Sequence, residues 1–260
     1  MNNWYYIGES IPGDPFLNMA IDEFLFLYSH RKKIGVLRTY SWECPTFSIG
    51  VSQKIDKVLD VNFVKTSGFK YVRRITGGKT VLHDNEITYS IVSSEDMFFK
   101  ENDLYKSYEL IAGVLLETLK LCGIDAYLSK GSPSHLSKSS NPCFSFPTPN
   151  EIEVDGKKII GSAQKRDKFA LLQHGSIPFG MNYSNYSKGA RFKESLLKKS
   201  MITISSVSDI SKVDFVKNLM NSFENFLSVK FKKFEFKDSD IIEIEKLRKK
   251  YESFDWNHIL

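Results

Sequence analysis

The sequence predicts an α+β fold, a mixed and mainly antiparallel sheet flanked by helices, and three observations carry that expectation. Between Tyr71 and Ile91 two runs of strand-like alternation flank a Thr-Gly-Gly-Lys turn. Asp155-Gly156 is a hairpin signal between Glu151–Val154 and Lys157–Ile160. Asp14 to Tyr28 and Asp103 to Cys122 repeat their apolar residues at helical spacing.

In chain order, the first of these helices has an acidic start and Pro15 at an early position that tolerates it. Val36 to Thr39 and Pro45 to Val51 read as strands around a Ser41-Trp42-Glu43 turn, followed by a short helical segment from Lys54 to Thr66. The helix ending at Cys122 is closed by Gly123 and carries Leu104, Tyr108, Ile111, Leu115 and Leu119 on one stripe. After the Asp155-Gly156 hairpin come Gly161, Ser162 and a strand from Phe169 to Ile177. Beyond Phe179 the pattern gives a basic helix at Lys188 to Lys199, an amphipathic one at Asp214 to Leu227 and a charged one at Ser239 to Tyr251, with no strand pattern. The expected organisation is one catalytic domain over 1–260, with a helical C-terminal extension from about residue 180 to 260.

Composition narrows the function classes. Hydrophobic residues make up 42% and charged residues 26%, ordinary values for a globular protein. No run reaches the roughly 18 to 20 apolar residues that span a bilayer, and MNNWYYIGES lacks a signal-peptide pattern, so a cytoplasmic protein without a membrane partner is expected. Cys44, Cys122 and Cys143 have no close pair, which argues against a disulfide framework and a structural zinc. The net charge of +5 has a local excess in Lys230–Lys237, KFKKFEFK, which reads as a solvated face or a docking surface for an acidic partner. One such patch without a recognisable module does not indicate nucleic acid.

Two stretches hold the polar chemistry. In YVRRITGGKTVLHD, Gly77 and Gly78 let a ligand approach backbone N–H groups, and Arg73 and Arg74 bring charge to the same mouth. In an alternating strand those arginines face opposite sides, so at most one meets the ligand; a basic surface turn would read the same way. From Asn141 to Phe179 a cysteine between prolines precedes the hairpin, a GSAQ segment and a Gln-His-Gly-Ser run. His83 and His174 have no partner at metal-ligand spacing, so no metal is expected.

Taken together, PFLNMAIDEFLF, LRTYSWECPTFSIG, RRITGGKTVLHDNEITYS, KIIGSAQKR and LLQHGSIP resemble the biotin/lipoate A/B protein ligase superfamily, and within it the LipM-type octanoyltransferases. The resemblance fades after about Phe179. It implies a catalytic core like that of class II synthetases. It also implies transfer of octanoyl from acyl carrier protein to the lipoyl-domain lysine of glycine cleavage H protein, in lipoate biosynthesis. By the same resemblance Cys143 is the nucleophile and Lys158 its catalytic partner. Arg73, Gly77, Gly78, His83, Gly161, Ser162, Ala163 and His174 would bind substrate, with Ile75, Val81, Leu82, Ala163 and Leu172 supplying an apolar slot. No cofactor is then needed; ATP and Mg belong to the alternative, a lipoate-protein ligase. That alternative typically has a third glycine where Lys79 stands and a Gly-Asn pair near Asn85 and Glu86. An amidotransferase moving octanoyl between lipoyl domains and a catalytically silent binding module stay open.

Overall fold

The computed structural model describes residues 3–8, 12–94, 104–129 and 151–259. Its strands are β1 (Trp4–Gly8), β2 (Gly35–Tyr40), β3 (Thr46–Ile49), β4 (Lys70–Arg73), β5 (Val81–His83), β6 (Glu86–Ser94), β7 (Tyr127–Leu128), β8 (Ile152–Val154), β9 (Lys157–Arg166), β10 (Ala170–Pro178) and β11 (Lys232–Lys233). The helices are α1 (Pro15–Lys32), α2 (Ile55–Val58), α3 (Val61–Thr66), α4 (Leu104–Leu121), α5 (Tyr183–Gly189), α6 (Glu194–Ser200), α7 (Lys212–Leu227), α8 (Asp238–Glu252) and α9 (Phe254–Asn257). Among the described residues, an 8-stranded sheet runs β11-β1-β2-β6-β10-β9-β8-β7 and a 3-stranded sheet runs β4-β3-β5. The pairs β11/β1, β1/β2 and β3/β4 are parallel and the others antiparallel, as the mixed, mainly antiparallel expectation requires.

Period-two alternation sorts the central strands between two helical layers. Leu37, Ile91 and Leu171 face α4 and α7, packing with Leu115, Leu119, Phe215 and Leu219. Their neighbours Val36, Val92 and Leu172 face α1 and α8, packing with Phe24, Leu25, Ile244 and Tyr251. A third cluster joins the small sheet to α2, α3, α5 and α6 through Phe47, Ile49, Leu82, Val64, Tyr186 and Leu197.

Several boundaries differ from the sequence reading for local reasons. Asp14 sits outside α1 as its N-cap, its carboxylate accepting from Leu17 N–H at 3.1 Å, and Pro15 opens the helix. The segment 54–66 is two helices, because Asp60 leaves the helical region to cap α3 through Phe63 N–H. The single basic helix expected at Lys188 to Lys199 is likewise two, α5 and α6, separated where Arg191 takes a φ of 50°.

The C-terminal stretch does contain a strand. β11 extends the large sheet by pairing with β1, and the alternation of KFKKFEFK has a packing cause. Phe231 packs near Trp4 and Tyr6 while Phe234 and Phe236 pack against Tyr5, Tyr28 and Phe24. Lys230, Lys232 and Lys233 stay exposed. No described helix is long and apolar enough to cross a membrane.

Candidate acyl-transfer site

Between the two sheets lies a pocket with about 350 Å³ of empty space, open solvent included. Met19 of α1, Tyr40 of β2, Trp42, Ser48 of β3, Arg74, Val81 and His83 of β5, and Thr88 of β6 form one side of its lining. Gly161, Ser162 and Ala163 of β9 with His174, Gly175 and Ser176 of β10 complete it. The β9/β10 register sets His174 opposite Ala163 and Gly175 opposite Ser162, so the two sequence motifs meet as cross-strand neighbours.

Both histidines are buried and held at each end. His174 Nδ1 lies 2.8 Å from Asp22 Oδ2 and its Nε2 lies 2.7 Å from Thr76 Oγ1. His83 Nδ1 lies 3.0 Å from Glu86 Oε1 and its Nε2 lies 2.8 Å from Ser48 Oγ. Asp22 also pairs with buried Arg38 at 2.8 Å and accepts from Tyr40 Oη at 2.9 Å. Glu86 accepts from Trp42 Nε1 at 3.0 Å and from the Thr88 and Ser176 hydroxyls, and Trp42 stacks on the His83 ring at 4.1 Å.

These contacts decide the charge states. Burial pushes Asp22 upward, but the His174 hydrogen bond and the Arg38 charge outweigh it, so its carboxyl is held below the usual range. Burial likewise pushes Glu86 up, and His83, Ser176 and Thr88 reverse it. His174 goes the other way: burial is the largest cause and holds it below its ordinary value despite Asp22, leaving a neutral imidazole near pH 7. Burial pushes the Tyr89 phenol up to about 12, so it stays protonated beside Ser162 Oγ at 2.8 Å.

Arg74 joins the two histidine assemblies. Its Nε donates to Thr76 Oγ1 at 3.1 Å, one terminal nitrogen donates to Ser48 O and Oγ, and the other to Gly77 O and Lys79 O at 2.7 and 2.8 Å. The turn it holds needs glycine: Gly78 has a φ of +84°, and its carbonyl lies so close to Gly50 that a Cβ there would come within 2.1 Å.

Of the residues singled out from sequence, His83, His174, Gly161, Ser162 and Ala163 line this cavity, and the Gly77–Gly78 turn borders it through Arg74 and Ala163. Arg73 is elsewhere. Alternation along β4 turns it away, where its guanidinium donates to the carbonyls of Gly50, Val51, Gln53, Trp256 and Asn257; the cavity's arginine is Arg74. Lys158 is buried in an ion pair with Glu151 at 2.5 Å, and both charges act on Tyr89 rather than lining the cavity themselves. Cys143 lies outside the described residues. Of the expected apolar slot, Val81 and Ala163 line the cavity, whereas Ile75, Leu82 and Leu172 belong to the cores behind it. Sequence reading missed Asp22, Ser48, Thr76 and Glu86, and it took Trp42 for a turn residue. The available signal for Asp22 was a polar Asn18/Asp22 pair four residues apart on an otherwise apolar helix face. Among the described residues no group of three or more His, Cys, Asp or Glu could hold a metal ion.

Residues 14–224 match the family model of the lipoyl protein ligase A/B catalytic domain. The chain belongs to that family. It is 35% identical over 270 residues to Octanoyltransferase LipM of Staphylococcus aureus, covering 97% of each chain. To Octanoyltransferase LipM of Bacillus cereus it is 34% identical over 273 residues, covering 98% of each. With relatives of that class along nearly its whole length, it is an acyltransferase. Two solved structures share its fold. One is a lipoate-protein ligase A bound with ATP, at TM-score 0.83 and 22% identity over 100% of this chain and 99% of that one. The other is the bi-partite lipoate protein ligase of Thermoplasma acidophilum, solved in a study of that ligase and its E2 lipoyl domain, at TM-score 0.83 and 20% identity over 100% and 98%.

Proposed function

We propose that this chain is an octanoyltransferase of lipoate biosynthesis, taking octanoyl from a thioester on acyl carrier protein onto Cys143 and passing it to a lipoyl-domain lysine, such as that of glycine cleavage H protein. The observation that carries the reading is the cavity itself, which has an apolar side of Met19, Trp42, Val81 and Ala163 ending against fixed polar groups, in a chain whose relatives are octanoyltransferases. An alkyl chain gains about 0.8 kcal/mol per buried methylene in such a slot.

In this reading the Cys143 thiolate attacks the thioester carbonyl, and the negative charge on the tetrahedral oxygen is stabilised by backbone N–H groups near Gly77, Gly78 or Gly161, while Lys158, paired with Glu151 outside the cavity, acts on it through Tyr89 and Ser162. The carbon–sulfur bond to the carrier then breaks and the carrier leaves as its thiolate, which takes up a proton from solvent. The neutral ε-amine of the acceptor lysine next attacks the enzyme thioester. The amide forms, the amine gives up its proton, and Cys143 leaves as thiolate. The thioester supplies the activation, so ATP enters only if the chain acts as a ligase.

The test is transfer to a purified lipoyl domain, with octanoyl-acyl carrier protein without ATP in one arm, free octanoate with ATP and Mg in a second, and an octanoylated lipoyl domain as donor in a third. The account expects modification in the first arm alone. Modification in the second arm alone would replace it with the ligase reading. Transfer only from an octanoylated lipoyl domain to another would replace it with the amidotransferase reading.

A further inference from the structure

The two histidines of the cavity are built alike from unrelated parts of the chain. In each a buried carboxylate faces Nδ1 and a buried hydroxyl faces Nε2: Asp22, His174 and Thr76 on one side, Glu86, His83 and Ser48 on the other. For a neutral ring, proton bookkeeping leaves one assignment. An ionised carboxylate only accepts, so Nδ1 carries the hydrogen; Nε2 of a neutral ring is then an acceptor, and the hydroxyl hydrogen points at it. Each hydroxyl oxygen is left with lone pairs facing Arg74, whose Nε and one terminal nitrogen donate to Thr76 Oγ1 and Ser48 Oγ, each at 3.1 Å. The other terminal nitrogen is thereby aimed at the carbonyls of Gly77 and Lys79. A histidine with its other tautomer would set the bare lone pair of Nδ1 against an ionised carboxylate.

We propose that Asp22 and Glu86 are positioning residues for acyl transfer, locking His174 and His83 in the Nδ1–H tautomer so that Thr76 and Ser48 hold Arg74, and through it the Gly77–Gly78 turn, in one orientation. This rests on the acyl-transfer reading for its rate consequence, while the tautomer assignment stands on the hydrogen-bond geometry around a neutral ring. The lowered proton affinity of buried His174 agrees with a neutral ring.

The experiment combines imidazole ¹⁵N NMR of the full chain near pH 7, assigned with single His83→Gln and His174→Gln variants, with single-turnover transfer by Glu86→Gln and Asp22→Asn. The Gln and Asn amides can donate to Nδ1 and so favour the opposite tautomer. The wild type is expected to show Nδ1–H at both rings, and each variant to switch its own ring. Transfer is expected to slow about a hundredfold at saturating donor with KM nearly unchanged, since a misplaced positioning group costs rate on that scale. Glu86→Asp and Asp22→Glu, which keep an accepting carboxylate, are expected to recover part of the rate. Because Asp22→Asn also strips buried Arg38 of its counter-charge, Ser48→Ala and Thr76→Val provide a second route that removes the hydroxyls and leaves both carboxylates in place. Nε2–H or cationic rings in the wild type would overturn the proposal, as would variants that switch tautomer yet transfer at the wild-type rate. A wild type with the expected tautomers but no transfer from any acyl donor would sink the functional reading instead, leaving the locked arginine as a structural finding.

Discussion

Arg73 and Arg74 are chain neighbours, both buried, and they do opposite work. Arg74 faces the cavity, where its partners are two hydroxyls set by histidines and the carbonyls of a tight turn. Arg73 faces away into a clasp made by α9, where Asn257 Oδ1 accepts from its backbone N–H at 2.7 Å and the indole of Trp256 donates to its carbonyl at 2.8 Å. The back of β4 is therefore tied to the end of the fold, and the front is tied to the site. Identical side chains acquire different roles because strand alternation gives them different neighbours.

That contrast is tested from its largest expected effect downward. Arg73→Met takes the guanidinium donors away from five carbonyls, two of them in buried residues, and should cost about 4 kcal/mol of stability, read by urea unfolding, while the folded fraction keeps its transfer rate per molecule. Equal loss of rate and stability would break the division of labour. Arg74→Lys should do the reverse. One ammonium cannot reproduce the planar fork that spans Thr76, Ser48 and the turn, so single-turnover transfer should fall about a hundredfold with a smaller change in the urea midpoint. Asn257→Ala removes one clasp acceptor and the donors to Tyr251 O and Ser253 O, for about 2 kcal/mol measured the same way.

The smallest effect is the pH dependence of stability. His174, whose neighbours are Asp22 with Arg38 and Tyr40 behind it, Arg74 and His83, is held below its ordinary value. Between the folded and the unfolded value, which is near 6.5, the unfolded chain holds the extra proton. The stability from this group is therefore complete above about pH 6.5 and declines on acidification. Asp22 and Glu86 are also lowered, so their stability is complete above about pH 4 and is lost only as pH falls through their folded values. Urea midpoints across pH 3 to 8 should decline in two stages, and His174→Gln should remove the upper one. An upper stage that survives the substitution would contradict the neutral assignment.

What could be seen in the sequence follows the range over which each signal acts. Gly78 announces a turn because only its own φ is at stake, and the Asp155-Gly156 hairpin and the main helices are equally local. His83 and His174 were visible through short motifs. The choice between Arg73 and Arg74 was not, because alternation says that they differ without saying which way the strand faces. Asp22 pairs with His174 from 152 residues away, a distance at which no period or propensity carries information. β11 was missed because two residues of pairing are too short to read, although Phe234 and Phe236 alternating with charged neighbours marked a half-buried edge.

The measurement that tests the central claim most directly is the intact mass of the protein after mixing with octanoyl-acyl carrier protein, without ATP or acceptor, beside a Cys143→Ser variant. The account predicts an octanoyl adduct that hydroxylamine removes and that the variant does not form. An unmodified wild type under conditions where a lipoyl domain still becomes octanoylated, or an adduct that persists in the variant, would contradict transfer through Cys143.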